Sequence, residues 1–186
     1  MTDLTIQGKM IDILASMKGK TLKSIEGVFD FESQTFLEII RFNLGLYAVE
    51  VVSDYEPVMW SIGLDIMFQD EATRFLVYEK SSSEKRVYPK GCEAVRMMKN
   101  EVVSEVIVVR DSISKNTEDV IMDSGIVLRT KERVYTFSRV DLSGIWFHFN
   151  ESDKIDMYYS LKDIRNEFSK AESNTDLKVK RDYIFL

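Results

Sequence analysis

The 186-residue chain has one cysteine, one histidine and two prolines. The single Cys92 excludes an intramolecular disulfide, so the sequence points to a reducing, cytoplasmic setting. One cysteine and one histidine cannot supply the four soft ligands of a structural zinc site, and no metal site is expected. A Ser-His-Asp or Cys-His catalyst would have to use His148, and no GxSxG elbow accompanies it. Neither GxxxxGK[ST] nor GxGxxG occurs, so no nucleotide or other cofactor is implied. No run approaches the roughly 18–20 apolar residues of a membrane span. The first twenty residues lack a basic start, and Asp3, Lys9 and Asp12 interrupt any apolar core, unlike a signal peptide. The net charge of −6 disfavours nonspecific binding to nucleic acid or anionic lipid. Two prolines and eight glycines argue against long disordered linkers.

What remains is a composition that folds. Hydrophobic residues at 45% and charged residues at 30% are ordinary for a globular protein. A chain of this length buries roughly 70% of its unfolded surface and needs no metal or disulfide to do so. We expect one domain over residues 1–186, of α+β class, with a mostly antiparallel twisted sheet.

Period-2 alternation dominates the strand signal. Ile25, Gly27, Phe29 and Phe31 alternate with Glu26, Val28 and Asp30. Phe36 to Leu44 follows the polar turn Glu32-Ser33-Gln34, and Tyr47, Val49 and Val51 alternate with Ala48 and Glu50. Strands are also expected at 74–78, 106–110, 133–137, 144–150 and 155–159, and over Leu177 to Phe185. Leu4, Ile6, Met10, Ile13, Leu14 and Met17 fall on one stripe of a first helix, capped by Thr2 or Asp3 and ended by Gly19. Cys92, Val95, Met98 and Val102 suggest a connecting helix over about 91–101. Ser160 with Asp163 reads as the start of a short helix bearing Leu161, Ile164 and Phe168.

A weak internal repeat aligns VVSD (51–54) with VVRD (108–111), VMWSIGLDI (58–66) with VIMDSGIVL (120–128), and RFLVY (74–78) with RVYTF (133–137). It implies two similar meander units, about residues 20–80 and 102–150. Strand–turn–strand patterning alone also generates part of this match.

Charge is the nearest thing to a functional signal. Between Lys23 and Arg74 lie ten acids (Glu26, Asp30, Glu32, Glu38, Glu50, Asp54, Glu56, Asp65, Asp70 and Glu71) and one base, Arg41. Residues 1–80 carry 13 acids against 7 bases, and residues 81–186 carry 18 of each. Net negative charge serves solubility and blunts strand edges. It also makes a docking face for a cationic protein, because opposite potentials speed association and exclude wrong partners. On that reading Glu50, Asp54, Tyr55, Glu56, Trp60 and Asp65 bind the partner, with Tyr55 and Trp60 as anchors.

The expectation is therefore a noncatalytic cytoplasmic protein that presents an acidic face to a basic protein. Its most concrete form is an immunity or inhibitor protein neutralising a toxin or nuclease. Two other classes remain open at this stage. One is a small enzyme using paired carboxylates (Asp30 with Glu32, Asp54 with Glu56) in a cleft between the units; such an acid needs burial or a like-charged neighbour to shift its pKa. The other is a small-molecule-binding β-rich module. The oxygen-rich loop 150–156 lacks the glycine and final glutamate of a calcium loop and reads as a surface turn.

Overall fold

A computed structural model describes residues 1–55, 73–88, 91–115, 118–141, 145–169 and 177–186. The described residues form twelve strands and two helices. The strands are β1 (Thr2–Leu4), β2 (Thr21–Asp30), β3 (Thr35–Leu37), β4 (Ile39–Asn43), β5 (Tyr47–Tyr55), β6 (Thr73–Ser81), β7 (Ala94–Val102), β8 (Glu105–Lys115), β9 (Glu118–Arg129), β10 (Val134–Arg139), β11 (Trp146–Ser152) and β12 (Lys178–Phe185). The helices are α1 (Lys9–Ala15) and α2 (Leu161–Ser169). All strands belong to one open, mostly antiparallel sheet in the order β12, β8, β9, β10, β11, β3, β2, β4, β5, β6. β7 pairs with the other side of β2, and β1 runs parallel beside β9.

The two arms of this sheet share one core. Ile25, Phe42, Val49 and Phe75 from the β2 to β6 arm pack with Val106, Ile126, Phe137 and Phe147 from the β8 to β11 arm. Ring centroids lie 5.1 Å apart between Phe42 and Phe137, and 4.9 Å between Phe75 and Phe147. The alternating sequence explains this arrangement, because each strand sends one set of apolar side chains inward. Each fully buried phenylalanine contributes about 1.5–3 kcal/mol. Leu14 and Met17 plug the same core from α1 and the turn that follows it. The arms meet at β2, whose residues 24–26 pair with β4 and whose residues 29 and 30 pair with β3. Gly27 sits between the two pairings. A Cβ there would lie 2.7 Å from both the Ile39 carbonyl oxygen and the Phe36 ring.

Several local expectations change. The first helix begins at Lys9 rather than near Asp3. Asp3 accepts bonds from the Thr5 N–H and hydroxyl and from Gln7, and Thr2 to Leu4 pair with β9. Ile6 N–H donates to buried Asp123, so the sheet holds the segment that the apolar stripe assigned to helix. Residues 91–101 form no helix: Ala94–Val102 is a strand on β2, with Val95 and Met97 turned to the core. Its exposed side carries Arg96, Met98 and Asn100, and period 2 wins once β2 offers a ladder. Residues 155–159 are not a strand either. Ile155 and Met157 instead lie face-on against Ile107, Val109 and Val127. Phe31, although it continues the inward set, stands 65% exposed because the strand ends at Asp30.

Other features match. Ser160 and Asp163 exchange bonds at the start of α2, and the Ser160 hydroxyl holds the Asp163 carboxyl below its ordinary range. The tail Lys178–Phe185 pairs along its length with β8. In the repeat alignment, β5 and β6 pair directly whereas their counterparts β8 and β10 both pair with β9. The nonamer 58–66 lies outside the described residues.

Candidate functional site

The outward face of the β7, β2, β4, β5, β6 arm carries a row of alternating charge. Register places Arg96 beside Glu26, Glu26 beside Arg41, Arg41 beside Glu50, and Glu50 beside Tyr78. The contacts follow that register. Arg96 Nη2 lies 2.6 Å from Glu26 Oε2, and Arg41 Nη1 lies 2.8 Å from Glu50 Oε1. β6 and β7 sit at opposite sides of this arm, so the chain between them crosses its outer face. That connection adds Arg86 on Glu50 at 3.4 Å and Tyr88 on Glu26 at 3.3 Å. Burial raises the Tyr88 pKa, and the Glu26 carboxylate adds to the effect. Glu50 is 1% exposed. A buried ion pair of this kind is worth little net, but removing one partner strands the other charge.

A second feature lies where β3 and β4 part. Glu38 stands between them in the left-handed conformation at φ 56, which costs a non-glycine residue about 1–3 kcal/mol. Its N–H donates to Ile145 O, and its carbonyl accepts from Ser53 N–H at 2.8 Å. These two bonds bring three segments together: Glu38 itself, the end of β5 with Asp54, and the start of β11 with Trp146. Glu38 is exposed, Asp54 half-buried and Trp146 39% exposed. The register sets Arg74 opposite Asp54. Backbone irregularities that re-aim side chains concentrate at sheet corners and functional sites.

The carboxylates inside the molecule are occupied. Asp111 receives both Nε and Nη2 of Arg181 at 2.7 Å and the Ser124 hydroxyl at 2.5 Å. Asp123 receives Arg110 Nε at 2.8 Å and Ile6 N–H at 2.6 Å. Burial raises the Asp123 pKa against the opposing pull of Arg110. Beside it, the fully buried Arg139 donates to Asp123 O and to the hydroxyl and carbonyl of Thr73, and lies 4.5 Å over the Phe75 ring. Burial lowers its pKa to about 10. Of the paired carboxylates considered for catalysis, Asp30 is fully exposed, and hydrogen bonds from Ser33 and the Glu32 N–H hold it below the ordinary range. That shift keeps it ionised and makes it a poor proton donor. His148 stacks on Tyr158 at 4.4 Å, and burial lowers its pKa. Among the described residues, no three His, Cys, Asp or Glu side chains gather where a metal ion could be held. No described helix is long and apolar enough to cross a membrane.

Of the six residues assigned to partner binding, Glu50 belongs to the covered charge row. Asp54 belongs to the Glu38 corner. Tyr55 ends β5, its backbone opposite Thr73. Glu56, Trp60, Asp65 and the Tyr55 side chain lie outside the described residues. In the sequence Glu38 is one of ten acids with no motif around it, and Trp146 lies within the strand expected at 144–150. A glutamate between the apolar pairs Phe36-Leu37 and Ile39-Ile40 breaks alternation, and that break was the available signal. No protein-family model matches the chain, and comparison with curated proteins and with solved structures gives no match.

Proposed function

We propose that this is a noncatalytic, cytoplasmic binding protein that docks a basic protein through the acidic corner at Glu38 and Asp54. Tyr55, Glu56, Trp60 and Asp65 keep the partner-binding role that the sequence assigns them, and Trp146, 39% exposed, is a further anchor. An immunity or inhibitor protein that covers the cationic site of a toxin or nuclease is the most concrete form of this reading. The observation that carries it is the left-handed, exposed Glu38, whose two backbone bonds tie it to Ser53, next to half-buried Asp54, and to Ile145, next to Trp146. Strain of this kind persists where the surroundings hold it, and it leaves the Glu38 side chain exposed. Glu50 supports the face indirectly by holding Arg86 and the segment that crosses the sheet.

The test is kinetic. Basic proteins from the source cell and its neighbours are captured at low salt, purified, and their association rates measured against ionic strength. A docking face of this charge predicts rates that fall steeply as salt rises, and a further fall for Asp54→Lys with Glu56→Lys. Rates indifferent to both salt and charge reversal would place the function elsewhere. A carboxylate enzyme would instead require a pair of acids with raised pKa values in one cleft, and Asp30 is shifted the other way.

A further inference from the structure

Apart from the three-residue β1, three described strands have a single strand neighbour: β6, β7 and β12. An unpaired strand edge is a template for another chain, and proteins normally blunt it. β6 is covered by α1, with Val77 N–H directed at Met10 Sδ at 3.4 Å. β7 carries two protective devices. Lys99 points inward, 2.5 Å from Glu151 and 4.9 Å over the Tyr135 ring. Beside it, Asn100 is left-handed at φ 61, and the register on β2 shifts between Leu22 and Ser24. β12 has an inward charge too, Arg181 on buried Asp111, and α2 packs beside it, but it has no left-handed residue and no register shift. It runs eight residues in unbroken register with β8, and it exposes Tyr183 at 43% and Phe185 at 60%.

We propose that the free edge of β12 pairs antiparallel with β12 of a second copy, about a two-fold axis through Arg181. The parity of the ladder supports this. Leu186 N–H donates to Val106 O, so the even-numbered residues of β12 direct their backbone groups to β8. The odd-numbered residues therefore direct theirs to the free edge, and Arg181 can face its own copy as a hydrogen-bonded pair. This register sets Lys180 opposite Asp182 of the second copy, twice, at the closely spaced non-hydrogen-bonded positions. On the outer face it sets Val179 opposite Tyr183 and Leu177 opposite Phe185, which covers the exposed rings. The two Arg181 side chains do not repel strongly, since each is already neutralised by its own Asp111 at 2.7 Å. An isologous contact of this kind closes on itself and cannot propagate into fibres.

Sedimentation of the full chain over a concentration series tests the proposal. The native sequence is expected to form a dimer. Asp182→Lys places lysines opposite each other and should raise the dimer dissociation constant about tenfold. Lys180→Asp combined with Asp182→Lys restores both opposite-charge pairs and should restore the dimer. Lys180 is exposed, Asp182 half-buried, and their own ion pair at 2.8 Å is a surface one worth little, so circular dichroism should be unchanged and the melting temperature nearly so in all variants. A monomeric native chain at the highest soluble concentration overturns the proposal. So does a dimer indifferent to Asp182→Lys, or a double variant that stays monomeric while folded.

Discussion

Glu50 and Asp54 are four residues apart in one strand and behave as opposites. Glu50 neutralises Arg41, whose side chain is 4% exposed. Glu50→Gln is expected to cost about 3–5 kcal/mol, because it leaves the arginine charge buried without its partner. Asp54→Asn should stay within about 0.5 kcal/mol; urea denaturation of the two variants measures the contrast. Glu38→Gly removes the left-handed strain, so stability should hold or rise by about 1 kcal/mol while association with a basic partner slows. Loss of stability instead would mean that the Glu38 side chain is structural. His148 gives a pH dependence with a definite sign. Burial lowers its folded pKa below 6.5, so the unfolded chain takes up the proton first. Its contribution is present above about pH 6.5 and is lost as pH falls through the folded value. His148→Gln should flatten the stability profile between about pH 7 and 5, which chemical denaturation at a series of pH values would read. The acids themselves were plain in the sequence, but their partners were not: Arg86 and Arg96 reach Glu50 and Glu26 from 36 and 70 residues away.

Elements were legible where two signals agreed. Alternation found β2, β5 and β12, and Ser160 with Asp163 marked α2; the single strand expected from Phe36 to Leu44 is split at left-handed Glu38 into β3 and β4. Elements failed where an apolar spacing fitted two periods. Val95 and Met98 fit a helix, yet Val95 and Met97 face the core of a strand. Only the neighbour β2 decides between them, and no local pattern contains that neighbour. The N-terminal stripe failed in the same way, because β9 claims residues 2–4. The switch of β2 from β4 to β3 depends on Gly27. Gly27→Ala should cost about 1–3 kcal/mol through the contact with Ile39 O and the Phe36 ring; a smaller loss on thermal melting would show that the crossing relaxes freely.

The described strands form one sheet that divides a one-signed stretch of sequence between two environments. Glu26 and Glu50 are drawn into a charge row with Arg96, Arg41 and Arg86, while exposed Glu38 is tied by its backbone to the residues next to Asp54 and Trp146. The count of ten acids against one base therefore overstates the exposed negative charge, because the fold supplies cations to Glu26 and Glu50. The corner was not legible because it is made by two long-range backbone bonds at a single strained residue. The most direct measurement is the association rate of a purified basic partner with Glu38→Lys, Asp54→Lys and Lys180→Asp, compared with the native chain across ionic strength. The proposed docking face predicts that the first two slow association and weaken its salt dependence, while the distant Lys180 substitution does not slow it. Equal rates for the native chain and both corner variants would contradict it.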